Sequence, residues 1–370
     1  GNKNFTVERL TGGFVNWVGR VTIDDDKVPS KPAEMPQTSW NGARSVIAKY
    51  ATPYIFTAGP AAPFSILRQT IEARSLALFA STPFTNAAVP NTLSGVPAEQ
   101  PAIRVPRLLF HDSQTHVLLQ EDLGTLPSLG DWLVQVPSPS EEATRRLGTA
   151  VGTFLATIHK RTRDPAQELR TLFANEDAVE FVVREVISPL RKDFALAGLD
   201  GANLCNFLEQ QWRQGPGHNL ESFCHGDLWH ASVLVAKDEQ YAALIDWEFA
   251  GVKTIGSDLA QCTAFLKMLA QSPKTPASAP VVSFNSSMLQ AYQTTLGHEL
   301  STSPELQAKL KLLFGLNLAN AATWHPWCDC AKVAEHHCEH VLGGVREAAR
   351  WIQIAMYEAE GHAGDWFDTA

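Results

Sequence analysis

Two short blocks constrain this chain more than anything else in it: CHGDLWHASVLV, residues 224–235, and LIDWEFA, residues 244–250. Each joins an apolar, strand-like run to a polar loop, and together they read as the two strands of one hairpin with chemistry at one end. Asp227 lies in the loop that enters the first strand, Ser232 stands at the start of that strand, and Asp246 ends the second, 19 residues after Asp227. Three oxygen-bearing side chains at one end of a hairpin suit phosphoryl transfer. A carboxylate beside an acceptor hydroxyl can orient it and accept its proton, and further oxygens can hold a magnesium ion bridging the phosphates. Taken alone, HGDLW also reads as a polar turn with Asp227 capping a neighbouring element. DWE downstream at a compatible spacing disfavours that reading, because two linked motifs in order are more specific than either one.

The N-terminal third supplies further candidates. FTVERLTGG and FVNWVGRVTI flank a Gly-Gly turn and read as a hairpin, with Gly12 and Gly13 allowing close backbone approach and Asn16 offering a donor. Lys49 sits inside the apolar strand SVIAKYA, where a charge is costly unless paired. The helical pattern over Ser65–Ala80 carries Glu72, whose significance depends on Lys49.

These segments resemble the aminoglycoside phosphotransferase and methylthioribose kinase group of the protein-kinase-like superfamily. His225-Gly226-Asp227 matches that group's catalytic loop, and Ser232 matches a serine that methylthioribose kinases place five residues past the aspartate. The resemblance implies Asp227 as catalytic base, with Asp246, Ser232 and Glu248 as magnesium ligands. It also implies Lys49 on the α- and β-phosphates of ATP, anchored by Glu72. Gly12, Gly13 and Asn16 would cover the phosphates, and the backbone at Glu121 and Leu123, in VLLQEDLG, would meet the adenine edge. Asp258, in GSDLAQ, corresponds to an aspartate that caps a helix and braces the catalytic loop. Gly226 stands where choline kinases usually have asparagine. Trp229 and Trp247 stand where methylthioribose kinases tend to have histidine and proline. HGDLW with DWE is more similar to divergent fungal relatives, which include kinases of hydroxylated secondary metabolites such as hydroxytryptamines.

The implied activity is ATP- and Mg2+-dependent phosphorylation of a small-molecule hydroxyl: a methylthioribose-like sugar, an amino alcohol, an aminoglycoside or a hydroxylated secondary metabolite. A nucleotide-binding pseudokinase is the alternative, disfavoured by the intact Lys49, Glu72, Asp227 and Asp246 set. Protein kinase activity is disfavoured by the lack of an Ala-Pro-Glu segment after DWE.

Length and pattern set the expected architecture. A chain of 370 residues exceeds one ordinary core. Strand-like segments dominate up to about residue 122 and helical periodicity dominates after it, with ASVLVA and YAALIDWEFA as isolated strands. The expectation is an α+β, protein-kinase-like bilobal fold: an ATP-binding lobe over 1–122 with a small antiparallel sheet, and a helical lobe over 123–370. EEATRRLGTAVGTFLATIHKR reads as an amphipathic helix with Gly148 and Gly152 on a close-packing face, and the helical run over 175–199 is interrupted near Pro189.

A net charge of −9 argues against a nucleic-acid partner. No apolar run is long enough to span a bilayer, and GNKNFTVERL carries no signal-peptide pattern, so a cytoplasmic location is expected. Six scattered cysteines in so long a chain read as reduced thiols. The cluster Cys328, Cys330, His336, His337, Cys338 and His340 does not match the usual zinc spacings. Trp324 and Trp327 could stack on an acceptor or pack in the core. Sequence alone assigns neither the acceptor nor the oligomeric state.

Overall fold

The structure, a computed structural model, describes residues 5–11, 13–23, 44–81, 101–165, 167–217, 219–298, 302–324, 327 and 338–358. Its largest sheet has five antiparallel strands. They run β1 (Phe5–Arg9), β2 (Trp17–Ile23), β3 (Ser45–Tyr50), β6 (Val117–Glu121) and β5 (Leu108–Asp112) in spatial order. The expected hairpin is β1 on β2, with Phe5 opposite Ile23 and Arg9 opposite Gly19. β3 lies at the centre, and Val46 to Lys49 are all buried, so the lysine is in a core strand with no route for its charge to snorkel to water. Helix α1 (Leu67–Ala80) lies against β5 and β6 and buries Arg68, Gln69, Glu72 and Ser75 beside Ile71 and Leu76.

The sheet ends at Glu121, and helices dominate from there: α2 (Leu129–Val134), α3 (Glu141–Arg161), α4 (Gln167–Leu172), α5 (Glu176–Val182), α6 (Ser188–Leu196), α7 (Gly201–Gln214), α8 (Ser257–Gln271), α9 (Ala279–Leu296), α10 (Pro304–Trp324) and α11 (Glu339–Glu358). α3 starts at Ser140, whose hydroxyl accepts from the Ala143 N–H, with Glu141 and Glu142 in the first turn and Lys160 and Arg161 in the last, each favourable to the helix dipole. A Cβ on Gly148 would come within 2.3 Å of the Phe284 carbonyl oxygen, and one on Gly152 within 2.1 Å of that of Met288. The two glycines thus let α3 and α9 cross with their backbones nearly touching. The helical run over 175–199 breaks into α5 and α6 at a wide turn, Val183–Ile187, with Pro189 in the first turn of α6.

The two motif strands form the expected hairpin, but they do not stand alone in the helical part, because a third strand joins them. β8 (Val233–Val235) pairs antiparallel with β9 (Tyr241–Leu244), and β4 (Ala102–Arg104) adds to β9 in parallel. β7 (Glu221–Cys224) and β10 (Gly251–Thr254) form a further antiparallel pair. These short ladders bracket both motif blocks: β7 leads into His225, β8 and β9 separate Ser232 from Asp246, and β10 follows Glu248.

Candidate active site

β7 delivers the chain into a loop held almost entirely by buried polar contacts. Gly226 has φ of +84°, and a Cβ there would lie 2.1 Å from the Phe249 carbonyl oxygen, so the turn needs glycine on both counts. Asp258, in the first turn of α8, accepts the backbone N–H of His225 at 2.7 Å and of Gly226 at 2.8 Å. It also meets His159 Nε2 at 3.1 Å, and His159 Nδ1 meets the Tyr292 hydroxyl at 2.7 Å. Asp258 therefore braces the loop, as the resemblance implies, but it does not cap α8, whose N-cap is Gly256. His225 Nε2 donates to the Ile245 carbonyl at 2.8 Å, which leaves Nδ1 to accept the Asp227 N–H at 3.2 Å. Gln261 Nε2 donates to Asp227 Oδ1 at 2.7 Å and fixes the carboxylate. Gln261 has no distinguishing signal in sequence beyond lying one helical turn past Asp258.

Ser232 closes the same loop: its Oγ accepts the Trp229 N–H and donates to the Trp229 carbonyl, both at 2.9 Å. One lone pair of that oxygen stays available for coordination. The Ile245 N–H bonds the Ser232 carbonyl at 2.9 Å, which sets Ser232 beside the end of β9 where Asp246 begins. Asp246 is left-handed, with φ of +64°, an uncommon state for a residue other than glycine and one that clusters at functional sites. Trp247 anchors the turn: it is buried against Phe79 and Phe223, and its indole N–H donates to the Leu244 carbonyl at 3.0 Å.

The lysine pairing expected from sequence is present. Lys49 Nζ lies 2.5 Å from Glu72 Oε1 and 2.5 Å from Asp246 Oδ1, joining the central strand, α1 and the DWE turn. A second bridge was not foreseen. Arg68, buried on α1, donates from Nε to Asn16 Oδ1 at 2.9 Å, and Asn16 Nδ2 donates to Glu248 Oε2. Arg68 Nε itself is 3.9 Å from Glu248 Oε2, and its other nitrogens bond the carbonyls of Thr52, Phe64 and Ser65. Asn16 is thus committed at both ends of its amide, tying the hairpin to Glu248. Arg68 looks like an ordinary helix residue in sequence, and only the tertiary contact reveals it.

Gly13 follows β1, where a Cβ would lie 2.7 Å from Val18 Cγ2, and Gly12 lies outside the described residues. At the end of β6 the Glu121 side chain is held by Arg104 and Arg107, and its N–H bonds the Arg107 carbonyl. Leu123 follows Asp122, which Arg20 Nε holds at 2.7 Å and which accepts the Gly124 N–H at 2.9 Å. These bonds fix the course of the segment that leaves the sheet.

Comparison with known proteins places the chain. Residues 88–292, more than half of its length, match the family model APH, the phosphotransferase enzyme family. The chain belongs to this phosphotransferase family. The 4-hydroxytryptamine kinase of Psilocybe cubensis is 23% identical over 260 residues, 68% of this phosphotransferase and 65% of that protein. The methylthioribose kinase of Bacillus thuringiensis subsp. konkukian (strain 97-27) is 27% identical over 249 residues, 63% and 57% of the two chains. The matches therefore span less than two thirds of these relatives' length. A solved Plasmodium vivax ethanolamine kinase aligns over 96% of this chain and 84% of its own, with 10% identity and a TM-score of 0.46, a likeness too loose to support an argument. The small antiparallel sheet and helical remainder are the expected α+β architecture.

The phosphotransferase's site gathers more acidic groups than basic ones. Glu72, Asp246 and Glu248 face Lys49 and Arg68, three carboxylates against two cations. Burial pulls the Lys49 ammonium down, but Asp246, Glu72 and Glu248 outweigh it and hold its pKa above the ordinary lysine value. Burial, with Glu72 as the next cause, pushes Glu248 up to about 8. Burial likewise raises Glu72, one of whose oxygens has no hydrogen-bond partner among the described residues. The Asp246 side chain is 43% exposed and the others are buried, so it is the carboxylate open to the cleft. Clustered carboxyl groups whose protons a cation would displace, with one accessible hard oxygen among them, fit a divalent cation. Asp227 is raised from 3.8 chiefly by burial, against the lowering effect of the Gln261 hydrogen bond.

Among the described residues one further cluster has metal-ligating groups, and its carboxylate is already engaged. His159, Cys224 and Asp258 lie within 4.8 Å of one another, but the Asp258 oxygens already serve three N–H groups. Cys328, Cys330, His336 and His337 lie outside the described residues, as does the Trp324 side chain. Trp327 is core: it is 2% exposed and its indole donates to the Ala321 carbonyl.

Proposed function

We propose that this phosphotransferase is an ATP- and magnesium-dependent kinase acting on a hydroxyl of a small molecule, with Asp227 as its base. The observation that carries this reading is Lys49, held at 2.5 Å by both Glu72 and Asp246 while Asp227 is fixed on the adjoining loop. Phosphoryl transfer is mainly positioning and charge stabilisation, and this arrangement supplies both. Asp227 orients the acceptor hydroxyl and takes its proton. Burial raises its pKa, which makes it a stronger base than an exposed carboxylate. Lys49 engages the α- and β-phosphates, with Glu72 keeping its direction. Asp246 and Ser232 hold the metal directly, and Glu248, fixed by Asn16 and Arg68, completes the acidic site. Magnesium, when bound, neutralises phosphate charge and polarises the transferred group. Gly12 and Gly13 bring the hairpin backbone over the phosphates, and the backbone at Glu121 and Leu123 meets the base.

In this reading residues 1–122 form the nucleotide lobe and 123–370 the acceptor lobe. The activities named for the relatives, on 4-hydroxytryptamine and methylthioribose, support a small organic alcohol as acceptor. The net charge of −9 supports a partner other than nucleic acid. No helix among the described residues is long and apolar enough to cross a membrane. The buried, unbridged thiols of Cys205, Cys224 and Cys262 support a reducing, cytoplasmic setting. The test is transfer of labelled γ-phosphate across a panel of amino alcohols, aminoglycosides, ribosides and hydroxyindoles. Magnesium-dependent transfer to one class supports the kinase. Tight magnesium-dependent ATP binding with no transfer to any class is the outcome expected of a pseudokinase.

A further inference from the structure

Gln261 and Phe265 stand four residues apart on α8, on one face of the helix, with about 5–6 Å between their Cβ atoms. Gln261 donates to the Asp227 carboxylate at 2.7 Å, and the Phe265 ring meets the Trp229 indole with centroids 5.3 Å apart. The indole therefore lies about one helical turn along α8 from the carboxylate, on the same loop and two residues past Asp227. One aromatic ring with its hydroxyl covers that span.

The indole is set in place before any ligand arrives. The N–H and the carbonyl of Trp229 both bond the Ser232 hydroxyl. His230, the next residue, is wedged against α2: its carbonyl accepts the Gly130 N–H at 3.3 Å, and a Cβ on Gly130 would lie 2.5 Å from His230 Nδ1. The His230 ring packs in turn 5.0 Å from the indole, 6.1 Å from Phe265 and 6.0 Å from Trp327, between centroids. His230, Phe265 and Trp327 are buried, whereas Trp229 and Asp227 are only half-buried. A large apolar ring, backed by packed rings and part-open beside the base, is built to hold a flat ligand in a fixed orientation.

Resting on the kinase reading above, we propose that Trp229 selects the acceptor by stacking on it, and that the acceptor is a planar, hydroxylated aromatic. Its ring lies against the indole and its hydroxyl is directed at Asp227. The hydroxyl oxygen forms the new bond to the γ-phosphorus of ATP, the bond from that phosphorus to the leaving oxygen breaks to give ADP, and the hydroxyl proton passes to Asp227. Other acceptor classes fit these surroundings less well. A sugar or an aminoglycoside carries many hydroxyl or ammonium groups, each of which needs a polar partner once buried. The side chains that meet the indole among the described residues are rings, and the Gln261 amide is already engaged with Asp227. An acyclic amino alcohol has too little flat area to gain from stacking.

The test uses the full chain with magnesium and either ATP or a non-hydrolysable analogue. Two aromatics, 4-hydroxyindole and 4-ethylphenol, are compared with methyl riboside, ethanolamine and 4-ethylcyclohexanol, the saturated match of the phenol. Calorimetry with the analogue reads binding, and product formation with ATP reads transfer. The aromatics should bind more tightly than the other three and be phosphorylated. Trp229→Leu keeps apolar bulk and both backbone bonds to Ser232 but removes the ring. It should raise Kd and KM for the aromatics about tenfold or more with a smaller change in kcat, while Trp229→Phe stays within about threefold of wild type. Nucleotide affinity should stay at the wild-type value in both variants, which a collapse of the loop would not allow. The phenol and cyclohexanol pair on wild-type protein decides the question without any variant. Preferential phosphorylation of the riboside, the amino alcohol or the cyclohexanol, or unaltered aromatic affinity in Trp229→Leu, overturns the proposal and leaves the kinase reading standing. Trp229-dependent aromatic binding with no transfer to any acceptor overturns the kinase reading and the acceptor role with it.

Discussion

Asp258→Asn tests how the catalytic loop is held. The Asp258 carboxylate serves three N–H groups, His225 N, Gly226 N and His159 Nε2. Asparagine keeps one acceptor oxygen: placed at the Oδ2 position it still accepts from His225 N and His159 Nε2, but its NH2 group then faces the buried Gly226 N–H, and the charge that pairs with His159 is lost. Hydrogen bonds to charged groups contribute about 1.5–3 kcal/mol each, and breaking a buried ion pair costs about 3–5 kcal/mol, so the variant should lose roughly 3–5 kcal/mol. That is a large part of an ordinary stability of about 5–15 kcal/mol, and the variant should still fold at low temperature. The pH dependence has a definite sign. The pKa of Asp258 lies below its usual 3.8: burial opposes ionisation, but His159, His225 and the Gly226 N–H outweigh it. Its contribution is therefore present above 3.8 and disappears as pH falls through the depressed value. The pKa of His159 is raised well above 6.5: burial lowers it, and Tyr292, Cys224 and Asp258 outweigh the burial. Its contribution is full below 6.5 and fades as pH rises through the raised value. Urea titrations of both proteins at pH 5 to 6 should therefore show the full difference. A loss below about 1 kcal/mol would refute the brace, since even one such bond is worth more.

Gly226→Ala should cost about 2–5 kcal/mol by thermal melting, from the left-handed φ and the collision with the Phe249 carbonyl together, and should lower transfer by displacing Asp227. Glu248 has a folded pKa of about 8 against an ordinary 4.5, so the native state holds the extra proton over that window and stability falls as pH rises through it. Glu248→Gln should flatten the melting temperature between pH 5 and 8, and an unaltered slope would show that another group titrates. The acid limb of kcat/KM should lie above 3.8, because Asp227 is raised and must be ionised to act.

The motif pair was readable because phosphoryl transfer fixes both residue types and their order around one hairpin. Lys49 was readable for a related reason: a charge in a core strand demands a partner, and Glu72 supplies it. The glycines of α3 were legible from their spacing on one face. What escaped depends on contacts between distant segments. Asn16 and Glu248 are 232 residues apart, and nothing local to Arg68 signals that it joins them. β4 has three residues and acquires its identity only by lying parallel to β9. β7 and β10 are similarly short, and their pairing emerges only when the loop from Asp227 to Glu248 folds back. The cavity lined by Phe173, Trp212, Phe249 and Leu312 is assembled from several helices and one strand, so no single stretch announces it.

The central claim is that Asp227 accepts the acceptor's proton within the frame set by Lys49, Glu72 and Asp246. The most direct measurement is kcat for γ-phosphate transfer by Asp227→Asn, using the best acceptor of the hydroxyl panel. Asparagine can still accept from Gln261, so the loop should stay in place. The account predicts a fall of about 10²–10⁴ in kcat with nucleotide affinity unchanged. Transfer at the wild-type rate would contradict it.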